Sequence, residues 1–291
     1  MPRPVPHDPS AASPVARRVL AARVSRGRLQ GPGYERLARG VHRAAGGPPL
    51  DHGDRIDVVR AAVVAPVVLA ELSAAWTYGV REAAAGDDVV VIAAGRPPRG
   101  RDGLVVRRCR LEHHEVRRSA RGWVTTPVRT ACDVLRRLPR RRAVRTTDAL
   151  LHTTGVTAEQ VGEALAALPA GSRGAMTART LLPLVDARSE SPRESDLRLL
   201  LHDAGLPAAT PQHTVRDAQG RFVARLDLAW PAARVAVEYD GAHHRVAGRH
   251  SADLARHNRL RALGWTVLQV DGRALGAPDE LLHLLRVLLC T

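Results

Sequence analysis

Apolar and polar positions follow their most regular pattern in the last third of the chain. Ser191-Pro192-Arg193-Glu194 opens a segment in which Leu197, Leu200, Leu201 and Ala204 recur at helical spacing, and Gly205 ends it. A hydroxyl at the N-cap, proline at the first helical position and glutamate three residues after the cap make this a helix start. Three strand-like runs follow: Thr210 to Arg216, Arg221 to Trp230 and Arg234 to Asp240. They are separated by the turns Asp217-Ala218-Gln219-Gly220 and Pro231-Ala232-Ala233. A polar helix from about Ser251 to Leu263, capped by Gly264, leads into the apolar run Trp265 to Val270, and a short helix begins near Asp279. The predicted order is α-β-β-β-α-β.

Upstream the pattern is shorter in period and less regular. Residues 14–26 have helical spacing, and Tyr34 to Gly46 reads as a strand-like stretch closed by Gly46-Gly47; together they predict a small winged-helix-like unit. Helices are expected over Asp54 to Val64 and Ala70 to Tyr78, strands over Asp88 to Ala93 and Gly103 to Cys109. Thr126 followed by Pro127 starts a helix that Pro139 stops. Further helices are expected over Ala143 to His152, from the Thr157/Gln160 capping box to Leu168, and over Ala175 to Asp186. The stretch Ala187 to Ser195 marks a boundary. The expected organisation is a flexible arm at 1–13, the winged-helix-like unit at 14–50, a middle α/β domain at 51–186 and a C-terminal domain at 187–291. The fold class is α/β (α+β), with a mostly helical N-terminal region and the α-β-β-β-α-β core at the end.

Composition narrows the function classes. With 291 residues the chain is long enough for two or three units, and 45% hydrophobic against 25% charged residues fits a globular chain rather than a disordered or membrane one. The apolar stretch Val58 to Trp76 is broken by Arg60, Pro66 and Glu71 and predicts no membrane span. Three cysteines without paired spacing exclude a disulfide framework and a cysteine zinc site, which points to a reducing cytoplasm. The net charge of +15 is carried by 44 basic residues, all of them arginine. Arginine exclusivity partly reflects GC-rich coding, yet a surface of this sign attracts phosphate, so nucleic acid is the expected partner.

Against that background the acids of the C-terminal domain stand out. Strand alternation puts Phe222, Ala224, Leu226, Leu228 and Trp230 on one face and Val223, Arg225 and Asp227 on the other. In the next strand Val235, Val237 and Tyr239 share one face, and Ala236, Glu238 and Asp240 the other. A hairpin turning about Ala232-Ala233 makes Asp227 and Glu238 direct neighbours, with Asp240 one diagonal away. Opposed carboxylates roughly 5 Å apart repel. A divalent cation that takes hard oxygen ligands and shares its shell with substrate phosphate offsets that repulsion.

The run from Glu190 to Val270, with helical Glu194, Asp227, Glu238-x-Asp240-Gly-x-x-His244, Asp253-x-x-Arg256 and Gly264-Trp265, resembles an uncharacterised actinobacterial family. That family is grouped with very-short-patch-repair-like endonucleases of the PD-(D/E)XK superfamily. The resemblance implies a restriction-endonuclease-like core and a Mg²⁺- or Mn²⁺-dependent DNA endonuclease or nickase. It implies Glu194, Asp227 and Glu238 around the metal, with Asp240 and His244 beside them. The lysine of the superfamily pattern is replaced by Asp240, and Arg225, Arg245 and Arg256 are the candidates for positive charge and for holding nucleic acid. Segments such as Gly40 to Gly46, Leu72 to Val80 and Val124 to Leu135 resemble type IV toxin-antitoxin antitoxins with a winged helix. DNA recognition is implied there, with a toxin or a second copy of the chain as further candidate partners.

Other readings compete. Ser191-x-x-Glu194 is complete as a capping box, Asp227 can pair with Arg225 or Arg256, and Asp240-Gly241 can simply open a turn. Asp253 and Arg256 suit a local ion pair. His243, His244, His250 and His257 do not follow a structural zinc spacing. The alternative to the enzyme is a catalytically silent DNA-binding regulator or antitoxin, with the nuclease-like domain as scaffold.

Overall fold

A computed structural model describes residues 15–16, 24–63, 65–93, 102–240 and 250–290. The protein is a mixed α/β chain of two units. One comprises the described residues up to Arg137 together with Glu159–Ala178; the other comprises Leu138–Ala158 and the described residues from Arg179 onward.

In the N-terminal unit, β1 (Val15–Ala16), β2 (Tyr34–Ala38) and β3 (Val41–Ala44) form a small antiparallel sheet of order β1-β3-β2. The hairpin between β2 and β3 turns at Gly40, whose φ of +78° is the left-handed conformation that glycine adopts without strain. Val15–Ala16 are therefore strand and not the start of a helix; a ladder with β3 overrides their helical spacing, and residues 17–23 lie outside the described part. The first described helix is short, α1 (Arg26–Leu29), and α2 (His52–Ala62) follows with a reciprocal capping box between Asp51 and Asp54.

A five-stranded sheet of order β6-β5-β4-β8-β7 carries the rest of this unit: β4 (Val67–Leu69), β5 (Val89–Ala93), β6 (Leu104–Arg107), β7 (Val116–Ser119) and β8 (Gly122–Thr125). The helices α3 (Glu71–Thr77) and α4 (Pro127–Arg137) belong with it. Ile56, Val59, Leu69, Ala74, Val89, Val91, Leu104 and Val124 make its main core. Strands β4, β7 and β8 carry three or four residues each and too little alternation to be seen in the pattern.

The C-terminal unit gains a helix from upstream. Of α5 (Arg140–Thr154), α6 (Ala158–Ala166), α7 (Ala175–Leu181) and α8 (Pro192–Asp203), the first packs with the last, so this unit begins well before the Ser/Pro/Arg boundary near residue 187. Buried acids hold the two helices together. Asp148 of α5 accepts from Ser195 Oγ at 2.6 Å and from the Asp186 amide at 2.8 Å, and it pairs with Arg198; Asp196 of α8 accepts from Arg141 at 2.6 Å.

The sheet of this unit has the order β12-β11-β10-β9, with β9 (Thr210–Arg216), β10 (Phe222–Trp230) and β11 (Val235–Tyr239) antiparallel in turn and β12 (Thr266–Val270) parallel to β11. Between the parallel pair runs α9 (His250–Ala262), and after them α10 (Gly272–Gly276) and α11 (Asp279–Leu289). The observed order is thus α-β-β-β-α-β with two helices appended. One face of the sheet packs Leu228, Trp230, Val235 and Val237 on Leu197, Leu201, Leu281 and Leu285; the other packs Ala224, Leu226, Ala229 and Ala236 on Leu260 of α9. Leu226 and Leu228 therefore lie in different cores. The expectation that even positions from 222 to 230 share one face fails at Asp227, where the strand changes sides.

Candidate acidic site of the C-terminal unit

The change of side at Asp227 coincides with a disturbance in the neighbouring strand. Register with β9 sets Leu226 opposite His213 and Leu228 opposite Pro211, so Gln212 stands across from Asp227, and Gln212 has φ +52°. A left-handed non-glycine backbone is strained and persists only where its surroundings over-determine it. Here the Gln212 side chain donates from Nε2 to Glu194 Oε2 at 2.8 Å, tying β9 to the first turn of α8.

On the other side, the ladder between β10 and β11 runs through Trp230–Val235, Ala229–Ala236 and Leu228–Val237. The ladder ends there; its register, continued one rung, sets Asp227 against Glu238. The Asp227 carboxylate takes over the role of the next backbone acceptor: the Tyr239 amide donates to its Oδ2 at 2.9 Å. Burial raises the Asp227 pKa, the Tyr239 amide opposes the rise, Glu194 and Glu238 add to it and Arg256 works against it. The net result is a value pushed up to about 6. Glu194 and Glu238 are thus electrostatic neighbours of Asp227, contributed by α8 and β11.

Each of the three acids is held differently. Glu194 Oε2 accepts from the Glu190 amide at 3.0 Å as well as from Gln212, while its own amide donates to Ser191 Oγ at 3.2 Å. The capping reading is half met: Ser191 caps the helix, but the Glu194 carboxylate reaches the amide before the cap and a side chain on β9. Glu238 is 8% exposed and engaged by Arg256 of α9 in a fork, Nη1 to Oε1 at 2.7 Å and Nη2 to Oε2 at 2.8 Å. Asp227 Oδ1 and Glu194 Oε1 accept no hydrogen bond among the described residues. No three His, Cys, Asp or Glu side chains among the described residues converge closely enough to share one metal ion. Glu194, Asp227 and Glu238 are gathered without forming a ready three-ligand cage, and Glu238 is turned to Arg256.

The remaining predicted residues divide. Arg225 is half exposed and pairs with Glu190 at 2.7 Å, beside the amide that holds Glu194, so it sits at the rim of the acidic group. Asp240 follows β11, exposed to solvent, and is not among the groups acting on Asp227; its amide donates to Val270 O at 2.8 Å. His244 and Arg245 lie outside the described residues, as does His243. Gln212 and the Tyr239 amide were not legible from the pattern. A polar residue on a strand facing solvent carries no mark of its backbone strain, and a main-chain amide carries none at all.

Among known proteins, the chain is similar to uncharacterised proteins of Mycobacterium tuberculosis strains CDC 1551 / Oshkosh and H37Rv. Each is 37% identical over 147 residues, which is 50% of this chain and 54% of the relative. The chain therefore spans about half the length of the curated relatives it matches. No family model matches it, and no solved structure does.

Proposed function

We propose that the C-terminal unit is a restriction-endonuclease-like phosphodiesterase acting on DNA with a divalent cation at Glu194, Asp227 and Glu238. The observation that carries this reading is Asp227 itself: a partly buried acid, moored by one backbone amide, that among the described residues faces two more carboxylates and a single guanidinium. Nothing in packing requires three acids at a strand kink, whereas a phosphodiesterase needs such a concentration of hard oxygen donors. The order α-β-β-β-α-β and the two acids on adjacent antiparallel strands support the same assignment.

The donor set fits Mg²⁺ or Mn²⁺ in kind, since Mg²⁺ is usually held by one or two carboxylates, several waters and substrate phosphate rather than by a full protein cage. Asp227 and Glu194 would supply oxygens, and Glu238 would join once Arg256 lets it go. A bound cation supplies charge stabilisation at the phosphorus and activates the attacking water. The chain's own part is to fix Asp227 through the Tyr239 amide, to brace Glu194 through Gln212 and to offer Arg225 and Arg256 to phosphate oxygens. The net charge of +15 supports an anionic polymer as the substrate.

A second reading rests on the Glu238–Arg256 fork. With that carboxylate neutralised and no lysine in the chain, the unit can serve as a scaffold in a DNA-binding regulator. Plasmid nicking in Mg²⁺ or Mn²⁺ separates the two. The enzyme reading expects cleavage of duplex, single-stranded or mismatched DNA that is lost in Asp227→Asn. Salt-dependent DNA binding by the unmutated chain with no cleavage of any of these would leave the regulator.

A further inference from the structure

We propose that Arg256 is the phosphate sensor of this site: it closes Glu238 in the free protein and releases it to the cation when a phosphodiester takes the guanidinium. The inference rests on the metal-site reading above and concerns how that site is assembled.

The fork is well made but asymmetric in exposure. Both Glu238 oxygens are engaged at 2.7 and 2.8 Å, yet the Glu238 side chain is 11% exposed while that of Arg256 is 26% exposed. A phosphate arriving from solvent therefore meets the arginine first. The planar guanidinium matches phosphate and carboxylate with the same pair of parallel N–H groups, so the two bonds of the fork can pass from Glu238 to a phosphate.

Glu238 cannot make the same exchange with water at little cost. When Arg256 turns away, Glu238 is left as a mostly buried carboxylate next to Asp227, with Glu194 close by. The other arginine at the rim, Arg225, is committed to Glu190. An uncompensated buried charge is strongly unfavourable, and a divalent ion is the compensation available to three acids. Phosphate and cation thus bind with positive coupling, and by linkage each raises the affinity of the other by the same factor. The free protein holds the cation weakly, and the carboxylate set becomes complete only under a DNA strand.

The test is Mn²⁺ binding to the full chain, followed by electron paramagnetic resonance of the free ion, with and without a short duplex and with a duplex-only blank subtracted. Typical coupling is about 5–150-fold. Duplex is expected to tighten Mn²⁺ binding to the unmutated protein at least about fivefold, the low end of that range. Arg256→Gln should reach the tightened affinity without duplex and gain nothing further from it. Glu238→Gln, nearly isosteric and with Arg256 released, should bind duplex more tightly in metal-free buffer while losing the tightening by Mn²⁺; it keeps the test decisive if Arg256→Gln does not fold. Mn²⁺ affinity that is the same or weaker in Arg256→Gln, with the unmutated chain still binding the ion, overturns the sensor alone. No Mn²⁺ bound by the unmutated chain with or without duplex removes the sensor together with the metal site.

Discussion

Two groups of buried and partly buried acids, one in each unit, meet opposite electrostatic surroundings. In the N-terminal unit Glu71, Asp133 and Glu115 face Arg107, Arg129, Arg136 and Arg137. Glu71 takes Arg107 at 2.8 Å and Arg137 at 3.4 Å; Asp133 takes Arg129 at 2.8 Å and Arg136 at 3.6 Å; Glu115 takes Arg129 at 2.7 Å. Every carboxylate there has at least one guanidinium. In the C-terminal unit the guanidinium that acts on Asp227 among the described residues is that of Arg256, and it is forked onto Glu238. Burial of acids does not by itself mark a site. What distinguishes the second group is negative charge left over after the arginines are assigned.

Asp148 sharpens the contrast. Its pKa is raised to about 6, as is that of Asp227, and burial is the leading cause in both. Around Asp148, however, the neighbours are Arg198, the Ser195 hydroxyl and the Asp186 amide, all of which favour the charged form; around Asp227 two carboxylates disfavour it. Equal pKa values thus conceal a structural clasp in one case and a carboxylate crowded by other acids in the other.

The largest effect is expected from Asp227→Asn, which on the proposed phosphodiesterase reading should lower DNA cleavage by at least about 100-fold, some 2.7 kcal/mol of barrier, and leave unfolding free energy unchanged or slightly raised. A stability loss comparable to that of the next variant would erase the distinction between the groups. Asp133→Ala takes the buried acid shared by the partly buried Arg129 and Arg136 and should cost about 3 kcal/mol, the low end for a broken buried pair because Arg129 keeps Glu115, read as a shift of the urea midpoint of the full chain. Its DNA cleavage, measured at a temperature where it is folded, should be unchanged.

The third prediction concerns pH. The folded pKa of Asp148, about 6, lies above the free value of 3.8, so between them the native state holds a proton that the unfolded chain has released. Stability from this group is fully present below about pH 4 and is lost as pH rises through about 6, with a slope of at most about 1.4 kcal/mol per pH unit. Asp148→Asn should lessen the slope in urea denaturation followed across the window, leaving the like contribution of Asp227; an unchanged slope would show that Asp148 carries none of it. The smallest effect belongs to Arg225→Ala. It breaks an exposed ion pair with Glu190 and should alter stability by less than about 1 kcal/mol, while lowering the salt slope of DNA binding by about 0.9. An unaltered slope would remove Arg225 from the DNA-contacting rim.

The C-terminal unit was the more legible of the two because its signals are local. The Ser191-Pro192 cap, the three runs between Thr210 and Asp240, the α9 stretch and the run to Val270 were each readable from periodicity and turn residues, and the structure has each within a residue or two. The two-residue β1, the short β4 and the allegiance of α5 were not, since they exist through partners far away in the chain, and β7 and β8, a local hairpin, are too short for alternation to show. At the site the hairpin count brought Asp227 and Glu238 to adjacent positions, but the assumption of unbroken alternation missed the change of side at Asp227.

By itself the sequence determined which residues are acids, which elements carry them and how far apart along a strand they stand. Only the tertiary structure decided that Arg256 closes Glu238, that a strained Gln212 braces Glu194 and that Asp240 stays in solvent. The period of a strand or helix fixes the direction in which a side chain leaves the backbone. The charge it meets there is fixed by the packing of segments distant in sequence, and that packing minimises the energy of the whole unit rather than of any one of its elements.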